Sequence, residues 1–496
     1  MAINALTNSN SVLIQQLMDN RERLEDLQRQ LGTGKKSETY RGLGQDVSTD
    51  VAFRQQISTV RGYQQTITRT TIRLNILDTT LSQVDDLVRD ARGGINPNSF
   101  LDLGSGKTLA QQNAKIALGE VLSVLNTQAD GRYVFSGRAA EQKPLAGIDA
   151  ILDGQGTFAG LKQVISERQQ ADLGAGGLGR MTVATVTDTV TLAEDGAHPF
   201  GFKISSVDNN LANVTVTPTV GPPRSEDIQF TGLPVAGQTF TVNMALPDGT
   251  STAVTLTASA DPAVAGTFQI GATANATAAN FDTALNAALI SSAATVLDAA
   301  SATQAGNEFF DTANGQPPQR VDGPPFDSAT ALRDGTPDTV AFYVGDNAAD
   351  DPRKTSSARV DSSLVVDYGA RANEEPLSQA IRSLAVFAAE DFSGTVAQDG
   401  DRYQELATRT RQALGFPAGK TSINNMHVQI VGVSQSVDSA RQRHVAAEGI
   451  LLQTVEEIEG ISLEEVSAQI LTLQTRLQAS YQTTAILNQL SLTNFL

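Results

Sequence analysis

The chain contains no cysteine and no tryptophan, and only three of its 496 residues are histidine. Without cysteine it can form no disulfide framework, no thiolate metal site and no cysteine nucleophile. His198, His427 and His444 show no paired-ligand spacing, so the sequence predicts neither a metal site nor a cofactor. Aromatic residues make up 5% of the chain, which is low for an aromatic-lined ligand cleft. We therefore expect a protein that is not an enzyme.

Positive charge is also scarce, with 36 basic residues against 54 acidic ones and a formal net charge of −18. Surfaces that bind nucleic acid or anionic membranes need clustered Lys and Arg, so neither partner is expected. The first twenty residues lack the basic and apolar regions of a classical secretory signal. No stretch of the sequence approaches the ~18 apolar residues of a membrane span. The sequence predicts a cytoplasmic protein, or one exported without a cleavable peptide.

Three glycines, Gly174, Gly176 and Gly179, match the dinucleotide-binding pattern G-x-G-x-x-G. That loop must follow a strand and open a helix. Here a polar helical segment precedes the glycines and a strand is predicted after them, which favours a flexible joint. No G-x-S-x-G elbow appears, and no histidine lies where a catalytic triad could be argued, so nucleophilic catalysis is not indicated.

Two further polar groups have simple interpretations. Asp346, Asp350 and Asp351 lack the loop spacing and the closing glutamate of a calcium site, so we interpret them as a solvated turn. His444 lies among Arg441 and Arg443 on a predicted helix, which indicates a solvated face.

What the sequence does contain is long amphipathic helices near both ends. Apolar residues recur at heptad spacing over residues 3–31, interrupted only by Asn10 and Asn20, and again within a final helical run predicted from about 420 to 493. Each stripe needs a partner helix. We expect a coiled coil of the two ends with each other or with neighbouring copies. The predicted assembly seam consists of Ile3, Leu6, Leu13, Leu17, Leu24, Leu27, Leu31, Leu463, Val466, Ile470, Leu473 and Leu477.

A second stripe continues for six heptads within a helix predicted from about 46 to 92, before Gly93 and Gly94. A stripe of that length favours a long bundle helix. Shorter helices are predicted at 107–129, 376–390 and 400–414. The predicted bundle core consists of Phe53, Val60, Ile67, Leu74, Leu81 and Val88.

The middle of the chain has a different character. Residues 181–192 and 211–220 alternate apolar residues with Thr, and Pro247-Asp248-Gly249 joins two further strand-like segments as a hairpin turn. One Ala-rich helix is predicted at 276–300. Residues 181–320 contain three basic and twelve acidic residues, so half of the net charge lies there. The fold class predicted is α+β, with a helical core from both termini and a β-rich outer insertion.

This order of segments predicts three domains. Residues 1–45 with 455–496 form a terminal coiled-coil domain, and 46–175 with 375–454 form a helical bundle. Residues 176–374 form a surface-exposed β-rich insertion, because both of its ends must leave the helical part at one point.

Several short segments of the two helical ends form a combination of motifs: Leu31–Lys36, Asp130–Gly137, Ser462–Val466, Leu477–Tyr481 and Leu490–Leu492. Together, though not singly, they resemble the bacterial flagellin superfamily. The resemblance covers roughly residues 1–140 and 330–496.

The resemblance implies a secreted structural protein of the bacterial flagellum, exported unfolded through the type III apparatus. It implies a helical homopolymer that serves motility, with flagellar junction and cap proteins and an export chaperone as partners. Flagellin itself is favoured by the long chain and large insertion. The hook–filament junction protein is the alternative, because Asp130–Gly137 and Val366–Glu374 resemble that member. An adhesin or enzyme carried on a helical stalk, and a cytoplasmic coiled-coil scaffold, are further alternatives.

One departure from the family carries an expectation of its own. Many flagellins have an Arg-Glu-Leu patch near the end of the long second helix, which an innate immune receptor recognises. The matching residues here are Arg92, Gly93 and Gly94. The resemblance therefore implies weak or absent recognition by that receptor.

Overall fold

The computed structural model describes residues 2–101, 106–262, 264–311, 315–393 and 396–493. It confirms a mixed α+β chain, with long helices toward both ends and sheets between them. The helices in the described residues are α1 (Ala2–Thr33), α2 (Val47–Gly94), α3 (Leu109–Leu125), α4 (Ile148–Asp153), α5 (Leu161–Leu173), α6 (Ala274–Ser292), α7 (Asp298–Phe310), α8 (Glu375–Ala389), α9 (Val396–Ala413), α10 (Ile423–Glu459) and α11 (Leu463–Thr493).

The strands are short, and most of them lie between α5 and α8. Tyr40–Asp46 and Pro352–Thr355 are 3-10 turns, and Ala293–Leu297 is a π-helical turn between α6 and α7. The strands are β1 (Gln128–Ala129), β2 (Arg132–Tyr133), β3 (Met181–Val186), β4 (Thr189–Glu194), β5 (Lys203–Asn209), β6 (Val214–Thr219), β7 (Ser225–Phe230), β8 (Thr239–Ala245), β9 (Ser251–Ser259), β10 (Thr267–Gln269), β11 (Gln319–Val321), β12 (Leu332–Asp334), β13 (Ser357–Arg359) and β14 (Val365–Asp367).

The chain divides into two compact units. Unit 1 comprises Met1–Thr70, Ala358–Val365 and Gln435–Leu496, and unit 2 comprises Thr71–Ser357 and Val366–Ser434. The helices α2 and α10 contribute residues to both. The three-domain division expected from sequence stays a prediction, as does the supercoiling of the terminal helices.

Unit 1 is helical, and its first and last helices pack together. The C-terminal part of α1 lies against the N-terminal part of α11, so the two helices run antiparallel: Leu27 packs with Val466 and Ile470. The end of α1 lies beside the start of α11: α1 stops before Gly34 (φ 72°), and an antiparallel bridge joins Lys35 to Gly460. The helix ends at Thr33, two residues after the apolar pattern over residues 3–31.

Unit 2 contains two four-stranded sheets with the helix α6 packed against them. The strand orders are β3-β4-β7-β6 and β10-β9-β8-β5, with all neighbours antiparallel except β9 and β10. Phe281 of α6 lies at the centre of the shared core, with its ring 5.1 to 5.4 Å from the rings of Phe230, Phe240 and Phe268. Edge-to-face packing of this kind adds to the burial of the rings.

The prediction that no stretch approaches a membrane span needs correction. Residues Ala274–Phe310 are long and apolar enough to cross a membrane, judged by length and composition alone. Leu285, Leu289 and Leu297 are buried in the core shared with the two sheets, whereas Ile290 is 49% exposed. Packing against the sheets accounts for the apolar residues on the buried face of this segment.

Three predicted elements have different limits in the structure. Residues 181–192 are not one strand but the hairpin of β3 and β4, because Thr187 takes a left-handed conformation (φ 56°). The Ala-rich helix extends to Phe310 through the π-helical turn. The final run is broken after Glu459, and Ser462 begins α11 by accepting a hydrogen bond from the amide of Glu465 (3.2 Å). The turn predicted at Pro247–Gly249 is confirmed by the bond from Gly249 N to Leu246 O (3.0 Å).

Candidate assembly surface

The predicted seam is buried where α1 and α11 meet. Leu27, Val466 and Ile470 form a small core, and Leu24 and Ile461 pack against it. Further along α11, Leu473 and Leu477 are also buried. Leu17 is half-buried. Leu31 and Leu463, at the ends of their helices, are exposed. The side chains of Ile3, Leu6 and Leu13 lie outside those that the structure describes.

The same two helices carry large apolar side chains on faces that the seam does not cover. Met18 is 67% exposed and Leu471 is 65% exposed. On α1, Ile14 and Met18 are four residues apart and so share one face. Single exposed apolar residues are ordinary, whereas a contiguous apolar patch is typical of an interaction surface. The exposed apolar set comprises Val12, Ile14, Met18, Leu471, Tyr481 and Ile486.

A polar clamp closes the end of this helix pair. Glu459, the last residue of α10, accepts a hydrogen bond through its carbonyl from the amide of Lys36 (2.7 Å), and its carboxylate pairs with Lys35 (3.1 Å) and Arg54. The amide of Ile461 donates to Gly34 O (3.2 Å). Burial opposes ionisation of Glu459, but the bonds from Arg54 and Lys35 outweigh it and hold its pKa below the ordinary value. The clamp fixes the end of α1 relative to the start of α11.

The clamp predicts a loss of stability in acid. A depressed pKa means that the contribution of Glu459 is present above the unfolded value of about 4.5 and is lost as the pH falls through the folded pKa. We expect Glu459→Gln to lower the urea midpoint of unit 1 at about pH 7 and to change it progressively less as the pH falls below about 4.5, as followed by helical circular dichroism.

Glu457→Gln is the matched control, because Glu457 is an exposed residue of the same helix that bonds only with Gln453 among the described contacts. Its effect should be small at both pH values. An equal pH dependence for wild type and Glu459→Gln would contradict the role assigned to the clamp.

The stripe of α2 is increasingly buried along the helix. Phe53 and Val60 are half-buried in unit 1, where Ile67 is fully buried. In unit 2, Leu74, Leu81 and Val88 are also fully buried. Their burial fits the bundle core predicted from their spacing.

Arg92, Gly93 and Gly94, which match the receptor-recognised patch of many flagellins, are the last three residues of α2. Gly93 and Gly94 lie within the last turn of the helix rather than beyond it. Arg92 donates from Nε to the carbonyl of Arg411 (3.1 Å), so its guanidinium is partly engaged within unit 2.

The two segments that resemble the junction protein are hydrogen-bonded to each other. Gly137 N donates to Ala370 O (3.2 Å) and Ala372 N donates to Phe135 O (2.9 Å). The buried Arg371 donates from Nη2 to Asp346 (3.2 Å) and also pairs with Asp350. The interpretation of these aspartates as a solvated turn is therefore wrong for Asp346, whose side chain is largely buried, whereas Asp350 stays partly exposed beside its arginine partners. Their contacts to arginine hold the pKa of Asp350 well below its ordinary value.

The glycine motif is a packed turn rather than a flexible joint. Gly174 and Gly179 have φ of 70° and 66°, in the left-handed region, and a Cβ on Gly179 would lie 2.4 Å from the ring of Phe202. The backbone amide of Phe202 donates to Gly179 O (2.9 Å). The motif follows α5 and precedes β3, the reverse of the dinucleotide arrangement.

The structure corrects the interpretation of His444. Its ring is buried, bonds from Nε2 to the backbone carbonyl of Val360 (2.8 Å) and stacks on Tyr63 at 5.3 Å. His198 is buried too, with Nε2 2.6 Å from Asp195 and 2.9 Å from Arg180. Burial is the largest influence on His198 and lowers its pKa. His427 pairs with Asp78 (2.8 Å).

Among the residues that the structure describes, no group of three His, Asp or Glu side chains could hold a metal ion. Besides the contacts of His444 and Arg371, sequence reasoning missed the clamp and the exposed apolar set. The clamp joins residues more than 400 positions apart, which no local pattern reveals. The exposed apolar set could have been recognised in the sequence as apolar residues of α1 and α11 that lie outside the heptad register. No protein-family model matches this chain, and no curated protein matches it.

Proposed function

We propose that the chain is a structural subunit that polymerises into a bacterial flagellar filament, a flagellin. The observation that carries the proposal is the exposed apolar set on α1 and α11, beside a seam that the same helices bury between them. Such side chains gain about 1.5–3 kcal/mol each when they are removed from water. Neighbouring copies would cover them.

The polymer would grow by head-to-tail contacts. A contact between two different surfaces of one subunit does not close on itself unless the rotation allows a ring, so repeated copies form a helix. Assembly binds only the ordered terminal helices and therefore stabilises them. The net charge of −18 suits a surface that must stay soluble outside the intended contact.

The hook–filament junction protein is the second candidate, and one observation favours it. The segments around Phe135 and Arg371, which resemble that member, form one hydrogen-bonded structure in unit 2. A junction protein would use the same terminal helices for a short ring rather than a long filament.

Negative-stain electron microscopy of the purified chain, after seeding or salting-out, separates the two candidates. We expect helical filaments of micrometre length. Short rings would favour the junction protein. Monomers that persist at every salt and protein concentration would contradict assembly itself.

The departure at Arg92–Gly94 gives a separate prediction. In a cell reporter for the innate receptor that recognises flagellin, we expect the purified monomer to be weak or inactive, because glycines replace the Glu and Leu of the recognised patch. A flagellin with the Arg-Glu-Leu patch is the positive control. Full potency of this chain would refute the expectation without bearing on assembly.

A further inference from the structure

Two outer strands of the sheets in unit 2 are protected against pairing with other chains. Thr231 N donates to Asn213 O, so the backbone groups of the odd-numbered residues of β6 point toward β7. The backbone groups of Val214, Val216 and Pro218 therefore face the open edge. Proline has no N–H to offer a new strand. In β5, the outward amide of Ile204 donates to the Glu194 carboxylate (2.9 Å) and Ser205 O accepts from Arg224 (2.7 Å). Natural sheets commonly protect their edges in this way.

The first half of β9 has no such protection among the described residues. The strand β10 pairs only with Thr257–Ser259, so Ser251–Leu256 have a partner on one side alone, namely β8. Leu246 N bonds Thr250 O, and Ala258 N bonds Gln238 O, both at 2.8 Å. Bonded pairs alternate along an antiparallel ladder, so the backbone groups of Ser251, Ala253 and Thr255 point away from β8.

These groups border an open groove of about 610 Å³ between β9 and α6. The groove wall from α6 is made of small side chains, including Thr283, Ala284 and Ala287, which leave room beside the strand. Residues 251–259 contain no charge and no proline. An uncharged, proline-free segment rich in Thr is the kind that pairs with copies of itself.

The edge is also fixed in place before any partner arrives. The turn before β9 is anchored to α9, where Arg409 Nε donates to the buried carboxylate of Asp248 (3.0 Å). Because the strand is already held in place, less conformational entropy is lost when a partner strand binds. Ala253 and Thr255 are exposed on the outer face, so the strand can be approached.

We propose that β9 pairs with β9 of a second copy of this chain, antiparallel about a two-fold axis at Ala253. In that register Ala253 faces its own counterpart, and Ser251 faces Thr255 of the other copy. Every outward N–H and C=O over these residues then gains a partner, and the two four-stranded sheets become one sheet of eight. The absence of charge on either edge removes the repulsion that like charges would cause. This pairing is separate from the terminal-helix contacts.

A single introduced cysteine tests the register, because the chain has no other. Hydrogen-bonded partners in an antiparallel ladder have Cα atoms about 5.5 Å apart, within the range of a disulfide. We expect full-length Ala253→Cys, kept soluble under mild oxidation, to form a covalent dimer for most of the chain. Thr217→Cys, at an exposed residue of β6, should stay monomeric under the same conditions.

A second variant tests the pairing without a covalent bond. Ala253→Lys places two like charges directly opposite each other at the axis, while its side chain remains in solvent within one copy. We expect the self-association constant from sedimentation equilibrium to fall at least tenfold, with Thr217→Lys unchanged. Measuring both in the Leu471→Asp background separates this contact from filament assembly. Equal cross-linking at 253 and 217, or a Leu471→Asp chain that stays monomeric at about 100 μM, would overturn the proposal.

Discussion

Replacing Leu471 by aspartate is expected to abolish polymer growth and to leave the monomer folded. In the single chain this side chain is 65% exposed, so its loss should change the free energy of unfolding by no more than about 0.5 kcal/mol. In a polymer, the substitution removes a leucine that the neighbouring copy would bury, and it places an unpaired carboxylate at the contact. A loss of about 3 kcal/mol per contact raises the critical concentration about 100-fold.

The measurement is the critical concentration from sedimentation after seeding, beside a urea unfolding curve of the same preparation. Gln469→Asp is the matched control, since it introduces the same charge at an exposed position of the same helix on roughly the opposite face. Met18→Asp should repeat the result from α1. If Leu471→Asp formed as many filaments as the wild type, the exposed apolar set could not be the basis of the proposed function.

A variant of the buried seam must give a different result, and the contrast is informative. Ile470 lies in the core with Leu27 and Val466, so Ile470→Asp should separate α1 from α11 before any assembly begins. Its loss of filaments would come with a loss of helical signal, whereas Leu471→Asp should keep that signal. The two neighbouring residues therefore distinguish folding of the subunit from contact between subunits.

Periodic features of the sequence were predictable because they depend on local geometry. The heptads of α2 and the seam of α11 follow from the repeat of the helix, and the hairpin turn before β9 follows from Pro247–Gly249. The break between α10 and α11 was also encoded locally, by Gly460 and by Ser462 with Glu465, but the apolar stripe on both sides concealed it.

Long-range polar contacts were not predictable, because their partners are distant in sequence. His444 lies beside charged neighbours on its helix, yet the carbonyl of Val360 and the ring of Tyr63 bury it. Asp346 and Asp350 looked solvated because Arg371, which binds both, belongs to another segment. A helical or strand period reports which face is apolar and gives no information on which charges pair across the fold.

The largest stability effect expected in unit 2 comes from such a hidden contact. Arg168 is buried and donates from Nε to Asp172 (2.8 Å), from Nη1 to Glu308 and from Nη2 to Pro199 O (3.1 Å). We expect Arg168→Met to lower the free energy of unfolding by about 3–5 kcal/mol, because it leaves buried carboxylates without their cation. Chemical denaturation followed by circular dichroism measures the loss.

Arg89→Met is the control, since Arg89 also pairs with an aspartate one helical turn away but is exposed; its cost should stay below about 1 kcal/mol. If Arg168→Met lowered the free energy of unfolding by as little, the buried ion pairs of Arg168 with Asp172 and Glu308 would contribute no more than a surface pair.

The pH dependence of Arg168→Met tests the electrostatic cause. Burial already raises the pKa of Glu308, and Arg168 is the main group opposing that rise. Without the arginine, the folded pKa should rise further, so the folded state binds more protons than the unfolded state above the ordinary value of about 4.5. The destabilisation should therefore be larger at pH 8 than at about pH 5.

Adding Glu308→Gln should remove much of that difference, because glutamine carries no charge to bury. A loss of stability independent of pH would instead assign the effect to packing, including the contact of Arg168 with the ring of Phe200 at 4.9 Å.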